Sequence, residues 1–327
     1  MSGVYASTIK EKFMKNIVYL AGLPRSGSTL LANILGMHKD IYATPSSPLC
    51  SIIQDMRRHW SDDPFLLAQL DSDFETVHKR LSRSTLAFMQ AWSSDTNKPI
   101  VIDKNRGWLF CLEILRELDP NFKIIVTLRD LRSIYSSIEK RHRKTLFLDF
   151  PDHMEHNIVD SRANALFSDG GLVGSVLKAM QNVKDIPNIL NHIYYWRFED
   201  FLANPQATTD HLFGYLGVEP VQIDFTKIIQ STNESDSYYR MKYPHKIQSS
   251  VGKPEDFREI PISPRILNEI GTRFMWFYQE FYPQVLQAPQ SPRNQTSGAQ
   301  SAPQSPDTQD EVVMIKALEQ AIQDEIK

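Results

Sequence analysis

The sequence is poor in cysteine and has no long apolar run. Cys50 and Cys111 are its only cysteines among 327 residues, and no cysteine–histidine cluster has the spacing of a metal site. Both cysteines lie among apolar residues, so we expect buried free thiols and no bound metal. No apolar run approaches the roughly 20 residues of a membrane-spanning helix, and residues 1–16 lack the apolar core of a signal peptide. We therefore expect no membrane span and a cytoplasmic location.

An excess of charge of one sign is also missing. The 36 Lys and Arg residues nearly balance the 39 Asp and Glu residues, and the formal net charge is −3. A protein built to coat nucleic acid has a marked excess of basic side chains, so we expect no nucleic-acid partner. With 41% apolar residues, the chain is long enough to bury one large core.

The most informative segment is a short apolar run, a loop of small residues and a second apolar run. Ile17–Ala21 predict a strand and Leu30–Leu35 a helix, with the loop GLPRSGST between them. Such loops hold phosphate or sulfate groups, because their backbone N–H groups point inward and the helix N-terminus carries partial positive charge. The glycine spacing is that of a Walker A motif, but Ser28 stands in place of the motif's lysine and the cation is Arg25.

The missing lysine argues against an ordinary phosphotransferase. Enzymes that use ATP or GTP need that lysine and Mg²⁺ to neutralise the β- and γ-phosphates. A sulfuryl group carries less negative charge, so one arginine and several N–H donors can hold it. An atypical P-loop kinase that uses ATP and Mg²⁺ stays open as an alternative.

Two segments carry a family resemblance. Residues 24–29, PRSGST, resemble the 5′-phosphosulfate loop of sulfotransferases that use 3′-phosphoadenosine 5′-phosphosulfate (PAPS). The segment FKIIVTLRDLRSIYSS resembles the family's 3′-phosphate segment and is closest to the tyrosylprotein and carbohydrate branch. The resemblance implies that Arg129 and Ser137 bind the 3′-phosphate, since a guanidinium and a hydroxyl both donate to phosphate oxygens. The alternative is that Arg129 pairs with a surface carboxylate and that Ser137 merely faces solvent.

Three further segments extend the resemblance. The strand Ile100–Asp103 is followed by Lys104, and the resemblance implies that this lysine stabilises charge on the departing phosphate. The segment YYWRFEDFLANP resembles the family's R-Y-E-D-L-x-x-x-P segment. The segment QSSVGKP resembles the family's cofactor-covering loop, and a plain surface loop is the alternative for QSSVGKP. The implied cofactor contacts are Pro24, Arg25, Ser26, Gly27, Ser28, Thr29, Arg129, Ser137, Tyr195, Ser249, Ser250 and Lys253.

The predicted strands and helices alternate. This alternation predicts an α/β fold of three layers, α/β/α, with a central parallel sheet like that of P-loop NTPases. Ligands bind beyond the carboxyl ends of such strands, so Arg25, Lys104 and Arg129 should converge there. Residues 38–48 and 145–169 are expected to be irregular. The expected strands are Ile17–Ala21, Ile100–Asp103, Lys123–Leu128 and Ile193–Phe198, and the expected helices are Ser28–Met37, Leu49–Trp60, Phe74–Trp92, Trp108–Leu118, Leu131–Arg143 and Leu172–Asp185.

The C-terminal residues change character. We expect a sulfotransferase domain over residues 1–287, a flexible linker rich in Pro, Gln and Ser over 288–309, and an amphipathic helix over 310–327. A short helix is marginal alone. We expect it to dock on the domain, on a second copy in a homodimer or on a partner, with a frayed tail as the alternative.

The resemblance implies a reaction but leaves its base open. It implies in-line transfer of a sulfuryl group from PAPS to a hydroxyl or amine of a small-molecule, carbohydrate or peptide acceptor, without a metal and with Arg25 and Lys104 as catalytic groups. The family's glutamate after the first helix has no counterpart in residues 43–48, ATPSSP. His59, Asp103 and Asp55 are candidate bases. A non-catalytic protein that binds PAPS or its desulfated product, 3′-phosphoadenosine 5′-phosphate (PAP), stays open.

Overall fold

The centre of the fold is a sheet of five parallel strands. The computed structural model describes residues 15–144, 146–147, 158–231 and 262–284, and those up to Tyr282 form one unit. The strand order is β2-β3-β1-β4-β5, so the predicted parallel sheet is confirmed. The strands are β1 Asn16–Gly22, β2 Ile41–Ser46, β3 Ile100–Lys104, β4 Lys123–Leu128 and β5 Ile193–Arg197.

Helices connect these strands and cover them. A 3-10 turn, Arg106–Phe110, follows β3 directly. None of the helices in the described ranges is long and apolar enough to cross a membrane. The helices are α1 Ser28–Gly36, α2 Leu49–Asp62, α3 Pro64–Ser72, α4 Phe74–Trp92, α5 Leu112–Leu118, α6 Leu131–Lys144, α7 Val159–Phe167, α8 Gly174–Asn182, α9 Phe198–Ala203, α10 Pro205–Leu216, α11 Pro264–Arg273 and α12 Met275–Phe281.

Strand β1 shows why the molecule has three layers. Val18 and Leu20 enter a core that also contains side chains of α1, α9 and α10. Tyr19 points to the other face, where its ring lies 4.6 Å from the ring of Trp108 in the 3-10 turn. Both faces of β1 are therefore apolar and buried, as in a parallel sheet covered by helices on both sides.

Several elements differ from the sequence expectation. Residues 38–48 contain the edge strand β2, and residues 145–169 contain α7; the irregular structure predicted for these two parts was wrong. The helix expected over 108–118 is divided into the 3-10 turn and α5. Helix α3 was not predicted, although Asp63 caps it and Pro64 opens it. The linker 288–309 and the helix 310–327 lie outside the described residues.

The turn at the end of β1 leads to a stability prediction. Gly22 has φ +132°, and a Cβ there would lie 2.4 Å from the backbone N and O of Thr127. Gly22→Ala should lower the free energy of unfolding by about 3 kcal/mol or more, because the conformation and the contact both exclude a side chain. Urea denaturation of the variant measures this loss.

Gly214→Ala is the matched control. Gly214 lies in α10, where a Cβ would meet nothing within 4 Å. Alanine favours a helix by up to about 1 kcal/mol over glycine, so this variant should be as stable as the wild type or more stable. Equal losses in the two variants would contradict the assigned role of Gly22.

Candidate active site

The loop after β1 is fastened to the end of β4. The backbone N–H of Leu23 donates to the carbonyl oxygen of Thr127 at 3.0 Å. Ser26 is fully buried, and its hydroxyl donates to the carbonyl oxygen of Leu23 and lies 2.6 Å from Thr127 Oγ1. The Ser26 side chain therefore holds the loop in shape and fastens it to β4.

Arg25 joins this loop to the second predicted segment. It adopts the left-handed conformation, with φ +59°, and its Nε donates to Ser137 Oγ at 3.3 Å. Arg129 Nη1 donates in turn to the carbonyl oxygen of Arg25 at 3.0 Å. The structure thus brings Arg25, Arg129 and Ser137 together, although Ser137 lies 112 positions from Arg25 in the sequence.

An aromatic ring supports both the loop and Arg129. The guanidinium of Arg129 lies 4.9 Å from the ring centre of Phe198, in cation–π geometry. A Cβ on Gly27 would come within 2.7 Å of the same ring. Phe198 is therefore in close contact with the loop and with the arginine. The family resemblance had not singled out Phe198.

Lys104 reaches the start of α1. The side chain is buried, with 7% of its surface exposed, and its Nζ donates to Thr29 Oγ1 at 2.9 Å and lies 3.5 Å from Ser46 Oγ. Its backbone N–H donates to Thr44 Oγ1 at 3.1 Å. The ammonium is thus held at the N-terminal turn of α1. Thr44 and Ser46 could be found only after β2 was known.

The arrangement concentrates positive charge at one edge of the sheet. Arg25 lies in the loop, Arg129 contacts the loop, and Lys104 contacts the first turn of α1, which begins at Ser28. The helix N-terminus adds partial positive charge and unpaired N–H donors. Such an edge attracts a ligand with more than one anionic group.

The three candidate bases lie on two elements, Asp103 on β3 and His59 and Asp55 on α2. Asp103 precedes Lys104 in β3 and therefore points to the opposite face of the sheet. It is fully buried, and its Oδ1 accepts from Trp108 Nε1 at 2.8 Å. His59 and Asp55 are exposed on α2, and Asp55 is paired with Arg58. Strand alternation therefore directs the Asp103 carboxyl away from the Lys104 side chain. The assignment of any of these three groups as the base stays a prediction.

Of the remaining predicted cofactor contacts, some lie in the loop, one lies in β5, and the others lie outside the described residues. Pro24 is buried in the loop, and Ser28 and Thr29 are partly exposed at its helix end. Tyr195 lies in the middle of β5, and its ring centre is 4.8 Å from that of Phe281. Predicted contacts outside the described residues are Ser249, Ser250 and Lys253.

A matching family model covers residues 18–222, and its description is "Sulfotransferase family". This match includes the loop, β3, β4 and β5. The chain belongs to the sulfotransferase family. The expected family is therefore confirmed, and the residues that carried the resemblance lie within the match.

Individual relatives of this sulfotransferase are distant. The nodulation protein NoeE of Sinorhizobium fredii is 25% identical over 226 residues, which are 66% of this chain and 53% of NoeE. The chain thus spans about half the length of that curated relative. Among solved structures, the sulfotransferase domain of the Synechococcus PCC 7002 olefin synthase is 16% identical and covers 80% of this chain and 95% of its own, with a TM-score of 0.45. The sulfotransferase domain of the curacin biosynthetic pathway is also 16% identical. It covers 80% of this chain and 98% of its own, with a TM-score of 0.46.

The described part of the sulfotransferase has no cluster of side chains that could share a metal ion. Within the described ranges, no group of three or more His, Cys, Asp or Glu side chains is placed to hold an ion. The acidic side chains near β4 have other partners. Glu199 Oε1 accepts from the backbone N–H of Asp130, and Asp130 forms an ion pair with Arg132.

Asp103 leads to a prediction about pH. Burial raises the pKa of its carboxyl group from 3.8 to about 6, although hydrogen bonds from Ser47 and Trp108 act in the opposite direction. Between these pKa values the folded state holds a proton that the unfolded chain has lost, so stability is gained as pH falls through about 6 and is complete below about 4. Asp103→Asn removes this titration. Relative to that variant, the wild type should lose about 2 kcal/mol between pH 4 and pH 7.5.

Urea denaturation of both proteins across this pH range measures the difference. Subtracting one curve from the other cancels the titration of all other groups. A difference in unfolding free energy that is constant with pH would contradict the raised pKa of Asp103.

Proposed function

We propose that this sulfotransferase uses PAPS as its sulfuryl donor and transfers the group to a hydroxyl or amine of a small-molecule, carbohydrate or peptide acceptor. Membership of the family supports the reaction class. The observation that carries the choice of donor is the contact network of Arg25 with Ser137 and of Arg129 with Arg25. It joins two anion-binding segments at one edge of the sheet. A cytoplasmic location is part of the same proposal.

The residues present fit PAPS in charge and in hydrogen-bonding capacity. PAPS carries a phosphosulfate at one end and a 3′-phosphate on the ribose. Arg25, Lys104 and the N–H groups of the loop suit the first group. Arg129 and Ser137 suit the second, because a guanidinium and a hydroxyl provide several donors to one phosphate.

Each side chain has a distinct task in this proposal. The donor supplies an activated sulfuryl group, whose S–O bond to the phosphate breaks as the acceptor oxygen or nitrogen attacks from the opposite side. Arg25 and the loop N–H groups orient the sulfuryl oxygens. Lys104 faces the phosphate oxygen on which negative charge grows, so its contribution is larger in the transition state than in the ground state. Positioning and electrostatics then supply most of the catalysis.

A binding experiment tests the donor. PAP should raise the melting temperature of the protein, since a ligand at 100 times its dissociation constant stabilises the folded state by about 2.7 kcal/mol. Adenosine 5′-phosphosulfate, which lacks the 3′-phosphate, should stabilise it less. ATP with Mg²⁺ should have little effect. A stronger response to ATP with Mg²⁺ would favour the P-loop kinase and overturn the proposal.

Two neighbouring serines provide a matched pair of variants for this experiment. Ser137→Ala removes the hydroxyl that contacts Arg25 and should weaken PAP binding by about 10- to 100-fold, the value of a hydrogen bond to a charged group. Ser136→Ala changes the adjacent serine, whose buried hydroxyl makes no hydrogen bond within the described structure. It should leave PAP affinity unchanged.

Lys104→Ala tests the role of the ammonium. We expect turnover to fall by about 100- to 1000-fold, because a donor to the transition-state charge is lost. PAP affinity should fall far less. Single-turnover sulfuryl transfer and PAP titration measure the two quantities, once screening with labelled PAPS has identified an acceptor.

The control is Lys39→Ala, since Lys39 is 81% exposed. This variant should match the wild type in both quantities. Equal losses of affinity and turnover in Lys104→Ala would contradict the leaving-group role. If the wild type bound PAP but transferred no sulfuryl group to any acceptor, the result would favour a non-catalytic PAP-binding protein.

A further inference from the structure

The only two cysteines of the chain lie against each other. Cys50 is in the first turn of α2, and Cys111 follows the 3-10 turn after β3. Their sulfur atoms are 3.7 Å apart, and both thiols are free and buried, as the sequence predicted. A contact between two buried thiols is not needed to fill a core, because any small apolar side chain would serve.

We propose that Cys50 and Cys111 form a redox modification site, at which hydrogen peroxide closes a reversible disulfide between the segment after β2 and the segment after β3. A disulfide has an S–S distance of about 2.0 Å, so the sulfurs must approach by roughly 1.7 Å. This inference about the thiol pair does not depend on the identity of the sulfuryl donor.

One polar side chain prepares the pair for oxidation. The Gln54 Nε2 amide contacts Cys50 Sγ at 3.3 Å and Cys111 Sγ at 3.1 Å. Because Gln54 contacts both buried sulfurs and is itself partly exposed, a change in its rotamer is the route by which a molecule as small as peroxide would reach them. An apolar cover would give no donor to a thiolate and no such access.

The two sulfurs differ in acidity. The hydrogen bond between the two sulfurs lowers the pKa of Cys111, burial acts in the opposite direction, and Gln54 and the charge of Arg57 lower the pKa further. The same contact raises the pKa of Cys50, and burial raises it further. Cys111 is thus the sulfur that ionises first and attacks an oxidant, because the thiolate is the nucleophile.

The chemistry balances with one peroxide. The Cys111 thiolate attacks a peroxide oxygen, and the O–O bond breaks. Cys111 becomes a sulfenic acid, and hydroxide is released. Cys50 then attacks that sulfur, the S–S bond forms, and water leaves with the proton of the Cys50 thiol. Two thiols are oxidised and one peroxide is reduced to two water molecules. Dithiothreitol reverses the step by thiol–disulfide exchange.

The disulfide would join the segments that hold Lys104. The backbone N–H of Ser47 donates to the carbonyl oxygen of Lys104 at 2.9 Å, and the Asn105 side chain donates to the carbonyl oxygen of Ser47. A Cβ on Gly107 would lie 2.8 Å from Cys50 Sγ. The space around the sulfurs is therefore tight, and closing the bond shifts one of the two segments.

Intact-mass spectrometry of the full chain tests the site. Treatment of the wild type with peroxide should remove about 2 Da, the two thiol hydrogens. Peptide mapping should show a link between Cys50 and Cys111, and dithiothreitol should restore the original mass. Reduced glutathione in a parallel tube shows that the oxidant is active.

Single variants give the controls and the contrary outcome. Cys50→Ser and Cys111→Ser cannot lose two hydrogens within one chain, and their melting temperatures before treatment show that they are folded. An unchanged wild-type mass, oxygen addition without a crosslink, or a disulfide between two chains would each overturn the proposal.

The effect on Lys104 has its own measurement and rests on the proposed function. A displacement of about 1 Å at a positioned catalytic group can reduce a rate by about 100-fold, so turnover should fall about 10-fold or more in the crosslinked protein and recover with dithiothreitol. Cys50→Ser should keep its turnover after the same treatment. Equal turnover in the reduced and crosslinked wild type would exclude coupling between the disulfide and Lys104. If the reduced protein transferred no sulfuryl group at all, that result would count against the proposed function instead.

Discussion

The close approach of the β1 loop to Thr127 is the constraint on which the site depends. Gly22 leaves no room for a side chain against Thr127, and the Thr127 hydroxyl meets both Ser26 and the carbonyl oxygen of Ala21. These contacts are buried and short, so they fix the loop relative to β4. Because Arg129 follows β4 by one residue, the same contacts set its distance from Arg25.

The same geometry places positive charge around a loop that lacks a Walker lysine. In the left-handed conformation of Arg25, its Nε reaches Ser137, while its carbonyl oxygen receives Arg129. The ammonium comes from a neighbouring strand instead, since Lys104 reaches Thr29 at the start of α1. The positive charge therefore comes from three strand ends, and each cation is oriented by hydrogen bonds before a ligand arrives. Such preorganisation is the main source of electrostatic catalysis.

Sequence analysis succeeded where the pattern was local and apolar. It predicted β4 to the residue as Lys123–Leu128 and placed Arg25, Lys104 and Arg129 at one edge, because parallel strands end together. It missed β2, since this edge strand contains Pro45 and has an irregular register between Ala43 and Ser46. The orientation of Asp103 followed from strand alternation and could have been deduced. The contact between Cys50 and Cys111 could not, because it joins segments 61 positions apart.

Helix α12, which lies beyond the family match, also bears on the segment after β4. The Tyr282 hydroxyl, just after α12, donates to Glu199 Oε2 at 2.7 Å, and Glu199 Oε1 accepts from the backbone N–H of Asp130. Burial beside Glu199 raises the pKa of Tyr282, so this hydroxyl stays protonated and donating at neutral pH. Asp130 also caps the start of α6 by accepting from the backbone N–H of Arg132. The residue after Arg129 is thus held both by α6 and, through Glu199, by the segment that follows α12. Helix packing far along the chain therefore supports the backbone next to Arg129.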